Sequence, residues 1–260
     1  MELNGIGAVI TGGGNGIGAA VARRLAAAGA RVVVNDLDAG AAEAVASEIG
    51  GVAVPGDAAS EEGVTALVAE AGAHLGGIDL YMANAGVAAH GGPETPEADW
   101  ELSWQVNVMA HVRASRELVP GWLERGQGRF LTTVSGAGLL TMLGSAPYSV
   151  TKHAALAFGE WMSATYGDRG ITTQCLCPLG VRTNMLDSAG NEGQAILSPD
   201  AITPEEVADA VMVGLADSRF LILPHPQAAD YYAARAADTD AWLAGMRRLQ
   251  AKVFSEEESA

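Results

Sequence analysis

Lysine is nearly missing from this chain of 260 residues, which carries Lys152 and Lys252 as its only lysines beside thirteen arginines. Basic charge of any kind is scarce: 15 Lys and Arg face 31 Asp and Glu, for a formal charge of −16. Without a basic patch to displace phosphate counterions, nucleic acid and anionic membrane surfaces are excluded as partners. The acidity itself fits either salt adaptation or GC-rich coding. Cysteine is equally sparse. Cys175 and Cys177 alternate on one predicted strand, with Cα atoms roughly 6 to 7 Å apart, a poor frame for a disulfide, so they read as buried packing thiols. The five histidines show no metal-ligand spacing with cysteines or carboxylates, and no metal is expected. No apolar run approaches the ~20 residues that span a bilayer, and no leader precedes the first apolar segment, so a cytoplasmic enzyme is the expectation.

What is abundant is apolar and small: 49% hydrophobic residues and 33 glycines. A chain of this length and composition suits one α/β domain with a sizeable core, residues 1–260, without a second domain. Short apolar runs at Ala8–Ile10, Arg31–Val34, Val52–Val54, Leu80–Ala83, Arg129–Val134 and Thr172–Cys177 alternate with helical stretches. That alternation predicts a doubly wound parallel sheet of the Rossmann type with helices on both faces, binding its ligand beyond the carboxyl ends of the strands.

The first such strand runs into Thr11-Gly12-Gly13-Gly14-Asn15-Gly16-Ile17-Gly18 and then an Ala-rich helix. Gly12 permits a tight turn, Gly16 lets the backbone approach a diphosphate, and Gly18 lets the helix pack closely. The helix N-terminus then offers N–H groups and the positive end of its dipole to phosphate. The second strand ends at Asp36, close to the spacing at which an acidic residue meets an adenosine ribose. A carboxylate there accepts from both ribose hydroxyls and repels a 2′-phosphate, which points to NAD over NADP. The competing reading of Asp36 is a cap on the following helix.

Tyr148 and Lys152 stand four apart, and Ser135 precedes the tyrosine by thirteen residues. On a helix over Tyr148–Phe158 the ammonium approaches the phenol, and a cation beside a phenol favours the phenolate, as a general acid/base requires. Keeping one of two lysines here is itself informative, because an ammonium and a guanidinium are not interchangeable.

Together, Thr11–Gly18, Asn84-Ala85-Gly86, Asn107, Ser135, Tyr148 and Lys152 resemble the short-chain dehydrogenase/reductase family in residue type and order, over roughly residues 3–183. The resemblance implies that Tyr148 is the acid/base, that Lys152 lowers its pKa and binds the nicotinamide ribose, and that Ser135 holds the substrate oxygen. It further implies that Asn107 kinks its helix and holds a water linking Lys152 to solvent. For the cofactor, NAD, it implies contacts from Gly12, Asn15, Gly16, Ile17, Gly18, Asp36, Asn84, Ala85, Gly86, Tyr148, Lys152, Pro178, Val181 and Thr183. Within these, the Val181 N–H would hold the nicotinamide carboxamide. Asp57 and the Ala58 N–H match positions that meet the adenine, although a turn residue after the third strand explains Asp57 equally well.

The chain departs from the family at Ala83, where many members have Asn, and at Leu179 after Pro178. It departs most after Arg219–Leu223, where Pro224-His225-Pro226 leads to a long helical tail, residues 224–260. Tyr231, Tyr232, Trp242, Leu243, Met246 and Leu249 give that tail an apolar stripe, which packs either on its own subunit or on a partner. His225 reads as a structural loop histidine or as a border of the substrate opening, and His153 lies about 100° round the helix from Lys152. The expected activity is reversible oxidation of an apolar secondary alcohol to a ketone. The alternatives are a carbonyl reductase working in reverse and a non-catalytic NAD-binding regulator. Gly138–Ala146 would line the pocket, and 184–200, holding Asp187 and Glu192, would be its lid. A homodimer through the helices carrying Asn107 and Tyr148, or a homotetramer, completes the expectation.

Overall fold

The computed structural model describes residues 2–254. Seven strands, β1 (Gly7–Ile10), β2 (Arg31–Val34), β3 (Val52–Ala53), β4 (Leu80–Ala83), β5 (Gly128–Thr133), β6 (Ile171–Leu176) and β7 (Leu221–Ile222), form one parallel sheet. Their order is β3-β2-β1-β4-β5-β6-β7, so the chain reverses direction between β1 and β4. In such sheets the crevice at the reversal, beyond the strand carboxyl ends, is where ligands bind.

Period-two alternation sends successive side chains to opposite layers. Ala8, Ile10, Val32, Val34, Leu80, Met82 and Leu131 meet α1 (Gly16–Ala27), α2 (Ala39–Ile49) and α10 (Pro204–Asp217) on one face. Val9, Val33, Tyr81, Ala83 and Phe130 meet α3 (Glu61–Leu75), α5 (Ala110–Arg125) and Met162 of α7 (Ala146–Tyr166) on the other. Tyr81 stacks on Phe130 with ring centroids 5.9 Å apart, and Trp122 meets Phe130 edge-on at 6.5 Å. Each such buried ring contributes roughly 1.5 to 3 kcal/mol over leaving it in water.

The strands sit where the apolar runs predict them, with the same bounds at β2 and β4 and with ends displaced by one residue at β1, β3, β5 and β6. Periodicity reports the buried stretch, whereas the strand ends where ladder bonds stop. β7 is an addition. Only two residues long, it pairs Leu221 with Cys175 and Ile222 with Leu176, and it is too short to show a period.

Helix α4 (Glu97–Trp104) passes into α5 through a π-helical segment, Gln105–Met109. Asn107 lies inside it, where the hydrogen-bond register is wider than in the flanking α-helical turns. Residues 184–200 hold α8 (Asn184–Asp187) and α9 (Gly190–Leu197). The tail holds α11 (Gln227–Ala237) and α12 (Thr239–Phe254), and its last six residues lie outside the described residues. Tyr232 and Trp242 pack on the chain's own apolar cluster around Leu139, Leu140 and Leu156, while Tyr231, Leu243 and Leu249 stay exposed.

Candidate active site

α1 starts at Gly16 with Asn15 at its N-cap, extended and making no side-chain cap. Its first N–H groups therefore face outward with the positive end of the helix dipole, as an anion site requires. Gly12 and Gly16 adopt φ of +59° and +51°, where side chains are strained. Gly18 has no room for a side chain: a Cβ would stand 2.2 Å from the Gly12 carbonyl oxygen.

Asp36 places one carboxylate oxygen 2.9 Å from the Gly14 N–H and the other 3.1 Å from the Asp38 N–H, at the edge of this turn. The cap on α2 is Asp38, which accepts from Ala41 N–H at 3.1 Å, so the capping reading of Asp36 is replaced by its neighbour. Asp57 turns both oxygens to the backbone of its own turn, accepting from Ala59 at 2.8 Å and Ser60 at 3.2 Å. That geometry accounts for Asp57 as a turn residue; its exposed carboxylate retains lone pairs for a ligand. Ala58 is buried in the core beside it.

Asn84 joins three segments. Its amide donates to the Thr11 and Gly12 carbonyls at 3.0 and 3.1 Å, and its Oδ1 accepts from Thr133 Oγ1 at 3.0 Å. Thr11 Oγ1 in turn accepts from the Asn84 and Ala85 N–H groups, each at 3.0 Å. Ala83, in place of the asparagine common in the family, packs among apolar neighbours.

Ser135 follows β5 with φ +86°, an uncommon conformation for a residue other than glycine. Its Oγ accepts from Ala137 N–H at 3.2 Å, at the start of α6 (Ala137–Leu140). Tyr148 and Lys152 both lie on α7, which has Pro147 in its first turn, and the Lys152 Nζ stands 5.5 Å from the Tyr148 ring centroid. Burial raises the Tyr148 pKa above its ordinary value of 10.0, and hydrogen bonding from Ser135 acts to lower it. Burial is the larger of these two influences. Lys152 is itself lowered to about 8 by burial, and its ammonium donates to the Thr133 carbonyl at 2.8 Å.

Asn107 is fully buried, with Oδ1 accepting from Val87 N–H at 3.0 Å and Nδ2 donating to Val87 O at 2.9 Å and Thr151 Oγ1 at 3.1 Å. A Cβ on Gly86 would lie 3.2 Å from Asn107 Oδ1 and 3.4 Å from Lys152 Nζ, so both groups flank that glycine. His111, one turn beyond Asn107, is buried, within hydrogen-bond reach of Thr132 Oγ1 at 3.2 Å, and held neutral with its pKa lowered to about 3 by burial and by Lys152. His111 and Thr151 escape sequence reasoning; helical spacing from Asn107 and adjacency to Lys152 are the signals that could have found them.

Across the cleft, Pro178 and Val181 are buried and Thr183 is half-buried beside Gly16, whose Cβ would lie 3.0 Å from the Thr183 methyl. The glycine turn and the segment after β6 therefore close on one another. His90 reaches the Ser188 carbonyl at 3.1 Å, and the Met142 methyl lies near Gly193. Asp187 is exposed. The side chain of Glu192 lies outside the described residues. His153 sits off the reacting face, with Nδ1 2.8 Å from Ser149 O. Cys177 is pushed up to about 12 by burial. Among the described residues, no group of three or more His, Cys, Asp and Glu is placed to hold a metal ion, and no helix is long and apolar enough to cross a membrane.

A family model described as short chain dehydrogenase matches residues 7–194. The chain is similar to the 1-deoxy-11-beta-hydroxypentalenate dehydrogenase of Streptomyces exfoliatus, 33% identical over 88% of this chain and 86% of that one. It is 36% identical to the 2,5-dichloro-2,5-cyclohexadiene-1,4-diol dehydrogenase of Sphingobium indicum over 72% of this chain and 77% of that one. Among solved structures, a short chain dehydrogenase/reductase from Burkholderia phymatum in complex with NAD superposes with a TM-score of 0.87 at 27% identity, covering 93% and 96% of the two chains.

Proposed function

The chain belongs to the short-chain dehydrogenase family, and we propose that it oxidises a secondary alcohol to a ketone, reversibly, with NAD. The observation that carries this reading is the meeting of Ser135, Tyr148 and Lys152 at the carboxyl end of β5, opposite an uncapped glycine turn. The residues present fit a dinucleotide. Gly12, Asn15, Gly16, Ile17 and Gly18 would cradle the diphosphate, and Asp36 the adenosine ribose. Asp57 and Ala58 would border the adenine, Asn84, Ala85 and Gly86 the adjoining ribose, and Pro178, Val181 and Thr183 the nicotinamide. NAD supplies the hydride acceptor when bound.

The chain's own residues handle the proton. Ser135 donates a hydrogen bond to the substrate oxygen, and Tyr148, as the phenolate left when its own proton has passed out through the relay, takes the proton of the substrate hydroxyl. Lys152, cationic below about pH 8, stabilises that phenolate before it takes the proton and binds the nicotinamide ribose. Asn107, locked to Val87 and Thr151, holds the exit of the relay. Within the Gly138–Ala146 segment the half-buried Met142 favours an apolar substrate, with residues 184–200 as lid and the helical tail that begins at 224 beside it. Exposed Leu102 and Trp104 on α4 and Val150 and Trp161 on α7 support a homodimer through these helices, or a tetramer built from it. A cytoplasmic location agrees with this chemistry.

Formation of NADH with a panel of aryl, cyclic, steroid and hydroxy-acid secondary alcohols tests the reading. Turnover is expected with the apolar members. Tyr148→Phe should cut kcat by at least ~10³-fold and leave NAD affinity within a few fold; equal turnover in the variant would end the assignment.

A further inference from the structure

We propose that His225 is a positioning residue for the nicotinamide end of the site. Its imidazole, carried in by the C-terminal segment, holds the Leu179–Gly180 turn in the shape that aims the Val181 N–H. The inference rests on the assignment of that turn to the nicotinamide made above.

His225 is 2% exposed. Its Nδ1 accepts from the Leu179 N–H at 3.2 Å, and its Nε2 lies 3.1 Å from the Gly180 carbonyl. An acceptor at Nδ1 leaves the proton on Nε2, so one neutral tautomer satisfies both backbone groups at once. Few side chains can span an N–H and the next residue's C=O in this way. Burial lowers the pKa of the ring from its ordinary value, against the opposing influence of the hydrogen bond to Gly180 and of Asp200 and Glu206.

The turn depends on outside support. Gly180 cannot carry a side chain, because a Cβ would stand 2.0 Å from the Leu197 carbonyl. On one side Ile202 N–H donates to Gly180 O at 3.1 Å and Val181 bridges Ile202, which fixes the exit of the lid segment. His225 supplies the support on the other. The histidine is itself anchored: Pro224 and Pro226 restrict the backbone around it, and its carbonyl accepts from Ala228 N–H at 3.0 Å at the start of α11. Gly136 N–H donates to Pro178 O at 2.7 Å, so the held turn also touches the residue after Ser135. A turn that slackens therefore moves the nicotinamide contacts while leaving the diphosphate cradle, on the far side of the cleft, intact.

Calorimetric titration of the full-length protein with NADH and with ADP-ribose, which lacks the nicotinamide, separates the two ends. His225→Phe fills the volume and removes both hydrogen bonds. Two net hydrogen bonds correspond to about a tenfold or larger loss; NADH affinity is expected to fall about tenfold, and ADP-ribose affinity to stay within twofold. His225→Asn, able to keep the acceptor for Leu179, and His225→Gln, able to keep the donor for Gly180, should each lose NADH affinity only about threefold, and they decide the matter if the phenylalanine variant does not fold. Unchanged NADH affinity in the variants would overturn the proposal. Equal weakening of both ligands would also overturn it, by marking a general structural role. A wild-type protein that binds the two ligands equally would instead remove the nicotinamide assignment on which it stands.

Discussion

Lys152 brings a positive charge to a place from which water is excluded. Its pKa of about 8, against an ordinary 10.5, means that the unfolded chain binds this proton more tightly than the folded one. Between about pH 8 and 10.5 the unfolded state holds more protons, so folding stability rises with pH through that window. Below it the full desolvation penalty applies, on the order of 3 kcal/mol. Lys152→Met should therefore raise the urea midpoint at pH 7.5 even though it forfeits the bond to Thr133, and the gain should shrink as pH approaches 10. A gain that did not change with pH would contradict the burial explanation. Stability surrendered at a functional side chain is a common pattern.

Residues of this kind were legible because their chemistry is tied to short intervals: Tyr148 and Lys152 one helical turn apart, and Ser135 at a fixed lead. The partners of His225 are 45 and 46 residues away, and Arg235 of the tail reaches Leu139 and His153 from as far as 96. No local pattern reports a contact made that late in the chain. Asp36 shows the finer limit. Its place beside the glycine turn was readable, but the identity of the helix cap was not, because Asp36 and Asp38 stand two residues apart at the same strand-to-helix joint.

Among the elements, the glycine turn and α1 are the most sharply constrained. Gly18→Ala drives a methyl group against the Gly12 carbonyl and to 2.7 Å from Asn84 Nδ2, backbone and bonded amide that cannot step aside. A cost of about 1 to 3 kcal/mol follows from overpacking, together with loss of NAD binding. Gly121 in α5 is the control: exposed and helical, with nothing within 4 Å of a Cβ, its change to Ala should stabilise by up to ~1 kcal/mol. Thermal melts of the two variants check both signs. Strand positions followed from apolar runs because most of each central run, as at β1 and β4, is buried on both faces. β7 did not, since two residues display no alternation, and the π-helical segment around Asn107 is a matter of hydrogen-bond register that composition does not encode.

For the whole molecule the dominant electrostatic fact is a formal charge of −16. The pairs Arg23–Glu48 and Arg24–Asp209 lie in solvent, where water and salt screen them and they contribute little. Self-repulsion among so many carboxylates is the larger quantity, and it too is screened, with a Debye length that falls from about 10 Å at 0.1 M to about 3 Å at 1 M. The melting temperature should therefore rise by several degrees between 0.05 and 1 M NaCl, as ~1 kcal/mol does in a domain of this size. A fall would show that ion pairs outweigh repulsion. The total charge was available from composition; its effect on stability needs the positions of the partners.

The Asn84 amide bonds to Thr11 and Gly12 on one side and to Thr133 on the other, and the Thr133 carbonyl carries the Lys152 ammonium. Anyone transplanting a glycine turn from a relative, to exchange one dinucleotide for another, would also be handling the support of the lysine. Thr11, Asn84 and Thr133 form one cassette, and a graft that moves the turn without them should retain its ligand and lose its rate.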